Sequence, residues 1–307
     1  MKRILVVGEI NVDLVFKHCR ALPAPGREVL AEDFCMTPGS SAMICAMGLA
    51  RLDDAVAFHG KVGADSWGAY CLDALHDAGI DVASVEPQGD LRTGVTVSLS
   101  TPQDRALVTF PGAIAALRAD EVNDAMLAGA DHLHVSSYYL QSALRPDCRK
   151  LFARAHAAGL STSLDPGFDP EQAWAPDLLG TLEEVDLFLP NEVELAAITG
   201  CADMAGGLRA LQNGQTRTVV KRGQLGCASL DEGQLLEVPA FAIDPVDSTG
   251  AGDSFDAGFL HAWLRGRPLL ECMRWGSACG SLSTRRTGGT SGQASVAEVQ
   301  ALLAATR

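Results

Sequence analysis

Residues 247–258 read DSTGAGDSFDAG. An irregular segment containing Pro245 precedes them, and a helical pattern, FDAGFLHAWLRG, runs from Phe255 to Gly266. Gly250 and Gly252 carry no Cβ, so their backbone can come close to a ligand. Successive amides at a helix N-terminus form an anion-binding concavity, reinforced by the helix dipole. Asp253 falls just inside that helix start. A carboxylate there is ordinarily a cap or a dipole partner. Beside an anion hole it can instead accept the proton of an attacking hydroxyl. The stretch alone leaves both readings open.

Outward from it, the chain alternates between two periodicities. RILVVG at 3–8 is apolar on both faces, as a buried strand is. Ser40–Leu52 predicts a helix capped by Ser40, and Asp65–Ala78 a second, stopped at Gly79, with a short strand at 55–63 between them. DHLHV (131–135), LSTSLD (160–165), VDLFLP (185–190) and TRTVVK (216–221) predict strands. Residues 145–159 and 191–200 predict helices. Strands alternating with helices predict an α/β fold, a mostly parallel sheet covered on both faces. Residues 27–38 and 92–112 break the rhythm by alternating apolar and polar residues, the second as a hairpin turning at TPQD, 101–104. They predict a small β lid, formed by about 14–38 and 92–112, on a single domain spanning 1–307.

The bulk numbers narrow the function classes. The chain has 307 residues, 47% hydrophobic and 20% charged, ordinary for a globular protein. Its net charge of −14 gives no basic footprint for a nucleic acid. Acidity does not exclude a nucleotide, because a few amides and one metal ion can hold a polyphosphate. The apolar run at the N-terminus is short and ends in Gly8, Glu9, Asn11 and Asp13, which reads as a first strand rather than a signal peptide. No stretch approaches a membrane span, so no membrane partner is expected. Nine scattered cysteines, with no C-x-x-C pair, suit a reducing compartment and predict a cytoplasmic location.

DSTGAGDSFDAGF closely resembles the C-terminal signature of the ribokinase-like (PfkB) carbohydrate kinases, usually D-T-x-G-A-G-D-x-F. Four further segments resemble that family in its order. GEINVD matches its first strand ending in G-x-x-x-x-D. PGSSAMICAMGLARL with GKVGADSWG matches its N-terminal signature. PNEVELAAITG matches its N-x-x-E segment, and VVKRGQLGC its V-T-x-G-x-x-G segment. The resemblance implies a ribokinase-like three-layer α/β/α fold with a β-sheet lid. It implies an ATP-dependent transfer of phosphoryl to a hydroxyl of a sugar.

The resemblance also implies roles. Asp253 is the catalytic base, and the amides of Gly250, Ala251 and Gly252 form the anion hole, which also serves the nucleotide. Asp13, Gly39, Ser40 and Ile44 fall at the family's acceptor pocket; Asp165, by its own place at a strand end, can line the same crevice. Asn191, Lys221, Gly223 and Gly226 face the nucleotide. Glu194 holds Mg²⁺ through water, since Mg²⁺ dehydrates reluctantly. Asp247 helps bind a monovalent cation such as K⁺. Each role has a plainer alternative: a capping box for Asn191 and Glu194, an exposed strand-end lysine for Lys221, and turns for Asp165 and Asp247. Three positions depart from the family pattern. Ser40 replaces the second Gly of a G-G pair, Ile44 stands where the family has a substrate-binding Asn, and Lys221 where it often has Thr.

Ile44 cannot bond a sugar hydroxyl, which disfavours D-ribose. The chain has only five lysines, with Lys17 alone near the lid and acceptor segments, although Arg27, Arg92 and Arg105 could still meet a phosphate. The expected acceptor is an unphosphorylated sugar or sugar acid. A nucleoside kinase is the alternative within the family, and a non-catalytic sugar or nucleotide sensor the alternative outside it. The intact Asp253 and both glycines disfavour the sensor. Expected partners are ATP, the acceptor, and a second copy of the chain across the lid. His132 and His134 lie on one face of an apolar strand with no third ligand at metal spacing, and read as core.

Overall fold

The computed structural model describes residues 2–101, 105–174 and 176–306; the side chain of Arg105 and the expected turn at 102–104 lie outside that description. In chain order the strands begin with β1 (Arg3–Val7), β2 (Asn11–Lys17), β3 (Asp33–Pro38), β4 (Ala55–His59), β5 (Val62–Gly63), β6 (Pro87–Gln88) and β7 (Gly94–Ser100). They continue with β8 (Arg105–Phe110), β9 (His132–Val135), β10 (Ser161–Leu164), β11 (Leu187–Phe188), β12 (Arg217–Lys221), β13 (Cys227–Asp231) and β14 (Gln234–Val238). The helices are α1 (Ser41–Arg51), α2 (Ser66–Asp77), α3 (Asp124–Ala128), α4 (Cys148–Ala157) and α5 (Asp177–Leu182). After them come α6 (Glu192–Thr199), α7 (Met204–Ala210), α8 (Ala251–Trp263), α9 (Leu269–Ser283) and α10 (Val296–Ala305).

β1 explains the layering. Ile4 and Val6 pack into one core with α1, α2, α8 and α9, whereas Leu5 and Val7 pack into the other with α4, α5, α6 and α7. A strand apolar on both faces must be covered on both. The central sheet has the order β14-β13-β12-β11-β10-β9-β1-β4. Its strands from β4 to β12 are parallel. The edge is not: β12, β13 and β14 pair antiparallel. Sequence reading stopped at β12. The turn joining β13 to β14 places Glu232 and Gly233 at φ 49 and 79, the two positive values a tight hairpin of this hand needs.

The lid is a second sheet of order β3-β2-β7-β8. β2–β3 and β7–β8 are antiparallel, and β2–β7 is parallel. Residues 27–32, expected to be extended, do not join it; the strand starts at Asp33. Directly paired residues share a face. Pairings therefore gather Phe34, Phe16, Met36, Leu14, Val97 and Val108 on one side and Asp13, Thr37, Thr96 and Thr109 on the other. Among the described residues no helix is long and apolar enough to cross a membrane.

Candidate active site

The carboxyl ends of the parallel strands deliver one polar group each to the same edge of the sheet. Glu9 follows β1, Asp165 follows β10, Asn191 follows β11, and Lys221 ends β12. Ligands of open α/β sheets bind outside these ends. The N-termini of α1 and α8 meet there. Gly250 caps α8 at φ 71, and a Cβ on it would lie 2.7 Å from Gly289 Cα. Only glycine combines that conformation with that approach. Ala251, Gly252 and Asp253 form the first turn of α8.

Asp253 is half-buried, and the Ser41 hydroxyl hydrogen-bonds its carboxylate. Burial, with Asp165 nearby, pushes its pKa up to about 7, against the opposing pull of Lys221 and Ser41. Glu9, whose role sequence reading missed, holds the start of α1. Its Oε1 accepts from the amides of Ser41 at 2.9 Å and Ala42 at 3.3 Å, while Ser40 Oγ donates to its carbonyl at 2.6 Å. Burial raises the Glu9 carboxyl, and its Oε2 has no partner among the described residues.

Asp165, Asp253 and Asp256 present carboxylate oxygens all within 4.8 Å of one another. Like charges so close repel by roughly 3–4 kcal/mol per pair at an effective dielectric of about 20, so the cluster needs a counter-charge or a proton. Lys221 supplies the charge: its Nζ donates to Asp165 Oδ2 at 2.6 Å and to Asp256 Oδ2 at 3.0 Å. Burial disfavours its charge, but Asp165 and Asp256 hold it well above the usual lysine range. Burial would raise Asp165 too, yet Lys221 and a hydrogen bond from Asp256 keep it low. Burial dominates at Asp256 and lifts its carboxyl well above the usual carboxylate range.

Asn191 and Glu194 form a reciprocal capping box. Glu194 N donates to Asn191 Oδ1 at 2.9 Å, and Asn191 N and Nδ2 donate to Glu194 Oε2 and Oε1 at 2.8 and 2.7 Å. Both carboxylate oxygens thus already accept a bond, and the remaining lone pairs suit a water-mediated hold on Mg²⁺ rather than direct ligation. The oxygen-only donor set fits that hard cation. Burial, then Asp165, pushes Glu194 up to about 7.

On the acceptor side, Asn11 donates to Thr96 Oγ1 at 2.7 Å and to Asp13 Oδ1 at 3.4 Å. Asn11 Oδ1 is buried with no partner among the described residues. Asp13 lies against Gly39. Ile44 is nearby, but its side chain packs on the backbone of Gly289 and Gly250. Ile44 therefore supports the turn at Gly250 that starts α8.

A family model described as pfkB family carbohydrate kinase matches residues 1–295. The chain belongs to the pfkB family of carbohydrate kinases. It is an ATP-binding phosphotransferase with a ribokinase-like fold. It is 30% identical over 294 residues, 95% of either chain, to an ATP-dependent ribose-1-phosphate kinase of Halopiger xanaduensis. A ribokinase of Arabidopsis thaliana, solved with ribose and ATP, superposes with a TM-score of 0.85 at 24% identity over 98% of either chain. A fructokinase of Vibrio cholerae, solved with fructose, ADP and potassium ion, superposes with a TM-score of 0.80 at 25% identity over 99% of this chain and 98% of that one.

The remaining expected site residues of this pfkB kinase are distributed unevenly. Asp247 Oδ1 accepts from Thr249 N and Oγ1 at 2.9 and 2.7 Å, and Oδ2 from Gly288 N at 2.9 Å, tying the signature turn to the loop after α9. A Cβ on Gly226 would lie 2.0 Å from Val238 O, so the β13–β14 hairpin alone requires that glycine. Gly223, at φ 53, faces open space. His132 and His134 are fully buried and bonded to Ser161, Ser163 and Ser136, as core residues. Asp256 was readable in DSFDAG only as a helix residue; its importance comes from Lys221, on another element.

Proposed function

We propose that this kinase moves the γ-phosphoryl of ATP to a hydroxyl of an unphosphorylated sugar or sugar acid, with Asp253 as general base. The observation that carries the reading is Asp253 in the first turn of α8. There it is held by Ser41, poised by burial near neutral pH, and set beside the amides of Gly250, Ala251 and Gly252. A base with a pKa near the working pH is both ionised and willing to take a proton. Asp253 accepts the hydroxyl proton as the oxygen attacks. The α8 amides and helix dipole meet the charge that develops on the phosphoryl group. Glu194 would hold Mg²⁺ through water, and the ion bound there would neutralise charge on the phosphates. Asp247, at the turn that binds the Gly288 loop, marks the place for a monovalent cation.

Asp13, Asn11 and Glu9 give the acceptor crevice polar and acidic walls. Such walls orient hydroxyls and repel a second phosphate. The polar face of the lid covers this crevice and excludes water from the transfer. The opposite face exposes Phe34, Met36 and Val108, which supports pairing of two copies through their lids. The identity to a ribose-1-phosphate kinase favours a second reading, in which the acceptor carries a phosphate. ATP consumption measured on fructose, ribose, 2-keto-3-deoxygluconate, ribose 1-phosphate and adenosine separates these. The proposal expects the highest kcat/KM on an unphosphorylated sugar or sugar acid other than ribose. Highest kcat/KM on ribose 1-phosphate establishes the second reading instead, and on adenosine removes both.

A further inference from the structure

We infer that Lys221 is a positioning residue, the internal counter-ion that clamps Asp165 to Asp256 beneath the first turn of α8, and is not a ligand of the nucleotide phosphates. Its ammonium has two carboxylate partners, at 2.6 and 3.0 Å, and its side chain is only 11% exposed. An ammonium has three donors, and two are committed. Leaving its two acceptors to reach a phosphate would strand the Asp165 carboxylate in a buried site and break the bond to Asp256, which is costly. The partners are more deeply buried still, Asp165 at 6% and Asp256 at 1% of side-chain exposure. The aliphatic stem passes under α8: a Cβ on Gly252 would meet Lys221 Nζ, Cδ and Cε at 3.6–3.8 Å.

The clamp ties together three elements that the chemistry needs in register. Lys221 comes from the end of β12, Asp165 from the end of β10, and Asp256 from α8, one residue short of a full turn after Asp253. Because α8 carries both Asp253 and the anion-hole amides, the hold on Asp256 fixes the axial position of both against the sheet. The groups that face this cluster are Ser41 and Cys45 from α1, Glu9 after β1, His134 on β9, Glu194 on α6 and Asp253 itself. Burial pushes His134 down to about 4, so none of them supplies a cation near neutral pH and the clamp rests on Lys221.

The inference deepens the proposal that Asp253 is the base, and its test is independent of it. Steady-state kinetics on Asp256→Leu and Lys221→Met, with saturating acceptor and varied MgATP, read it out. Asp256 touches no ligand in this account, and a Leu of similar size accepts no bond from Lys221, so that variant isolates the clamp. The expectation is a fall in kcat of about tenfold or more, with KM for ATP within about threefold, because misplacing reactive groups by fractions of an ångström costs rate rather than binding. Lys221→Met should show the same split with a larger fall. A tenfold or greater rise in KM for ATP at unchanged kcat would make Lys221 a phosphate ligand and overturn the inference. Unchanged kcat in Asp256→Leu would overturn it as well. If Lys221→Met does not fold, Asp256→Leu still decides, since it leaves Lys221 paired with Asp165. Failure of the base assignment shows elsewhere, as an Asp253→Asn enzyme that keeps its rate.

Discussion

The Asp13 carboxylate fills the space a side chain on Gly39 would need: its Oδ1 lies 2.2 Å from the place of a Cβ there, and Asn11 Oδ1 lies 2.7 Å from it. Gly39→Ala must therefore displace Asp13 or Asn11. Overpacking of this kind costs about 1–3 kcal/mol, equivalent to roughly 5–150-fold in binding. KM for the acceptor should rise by that factor while KM for ATP stays within about threefold, since the displaced groups face only the acceptor. Steady-state kinetics with each substrate varied checks it. Equal rises in both values contradict the assignment of Asp13 to the acceptor.

The pH dependence follows from Asp253. Burial, then Asp165, raises its pKa to about 7, and only the ionised form accepts a proton. Activity should therefore be lost as pH falls through about 7 and level off above it, with kcat/KM dropping about tenfold per unit at lower pH. The stability sign is opposite. A carboxyl raised in the folded state binds more protons there than in the unfolded chain, so the fold loses stability as pH climbs from the ordinary carboxylate range to about 7. Asp253→Asn should have a melting temperature at pH 8 no lower than the parent.

Metal demand tests Glu194. Glu194→Gln keeps the shape but can accept from only one of the two Asn191 donors, and it removes the charge. The Mg²⁺ concentration for half-maximal rate should rise by about tenfold, the usual cost of weakening a hold on a metal through outer-shell groups. A titration that superposes on the parent's removes Glu194 from the metal site.

The lid face makes a prediction about assembly. Phe34 and Val108 are 51% and 67% exposed on the side of the lid away from Asp13. The protein should sediment as a dimer, and Phe34→Asp should sediment as a monomer. A parent enzyme that sediments as a monomer at micromolar concentration contradicts lid pairing.

Local signals carried most of the fold. Ser40, Asp65 and Asn191 cap the helices they were expected to cap, and Gly200 ends α6 in the left-handed conformation. These are short-range effects, readable within a few residues. The turn that starts α8 was legible for the same reason: Gly250 and Asp253 are three residues apart. What escaped depends on contacts between distant elements. Glu9 matters because α1 begins on its carboxylate, 32 residues later. Asp256 and Lys221 are 35 residues apart, and nothing local in TRTVVK marks a lysine that will be buried. The packing of Ile44 on Gly289 depends on a loop at the far end of the chain, which no local pattern around residue 44 reveals.

The central claim is that Asp253 takes the proton, and kcat of Asp253→Asn measured at saturating ATP and acceptor tests it most directly. The account predicts a fall of about 10²–10⁴-fold, with both KM values within a few fold and the fold intact by melting temperature at pH 8. A variant that keeps a tenth or more of the parent kcat contradicts it.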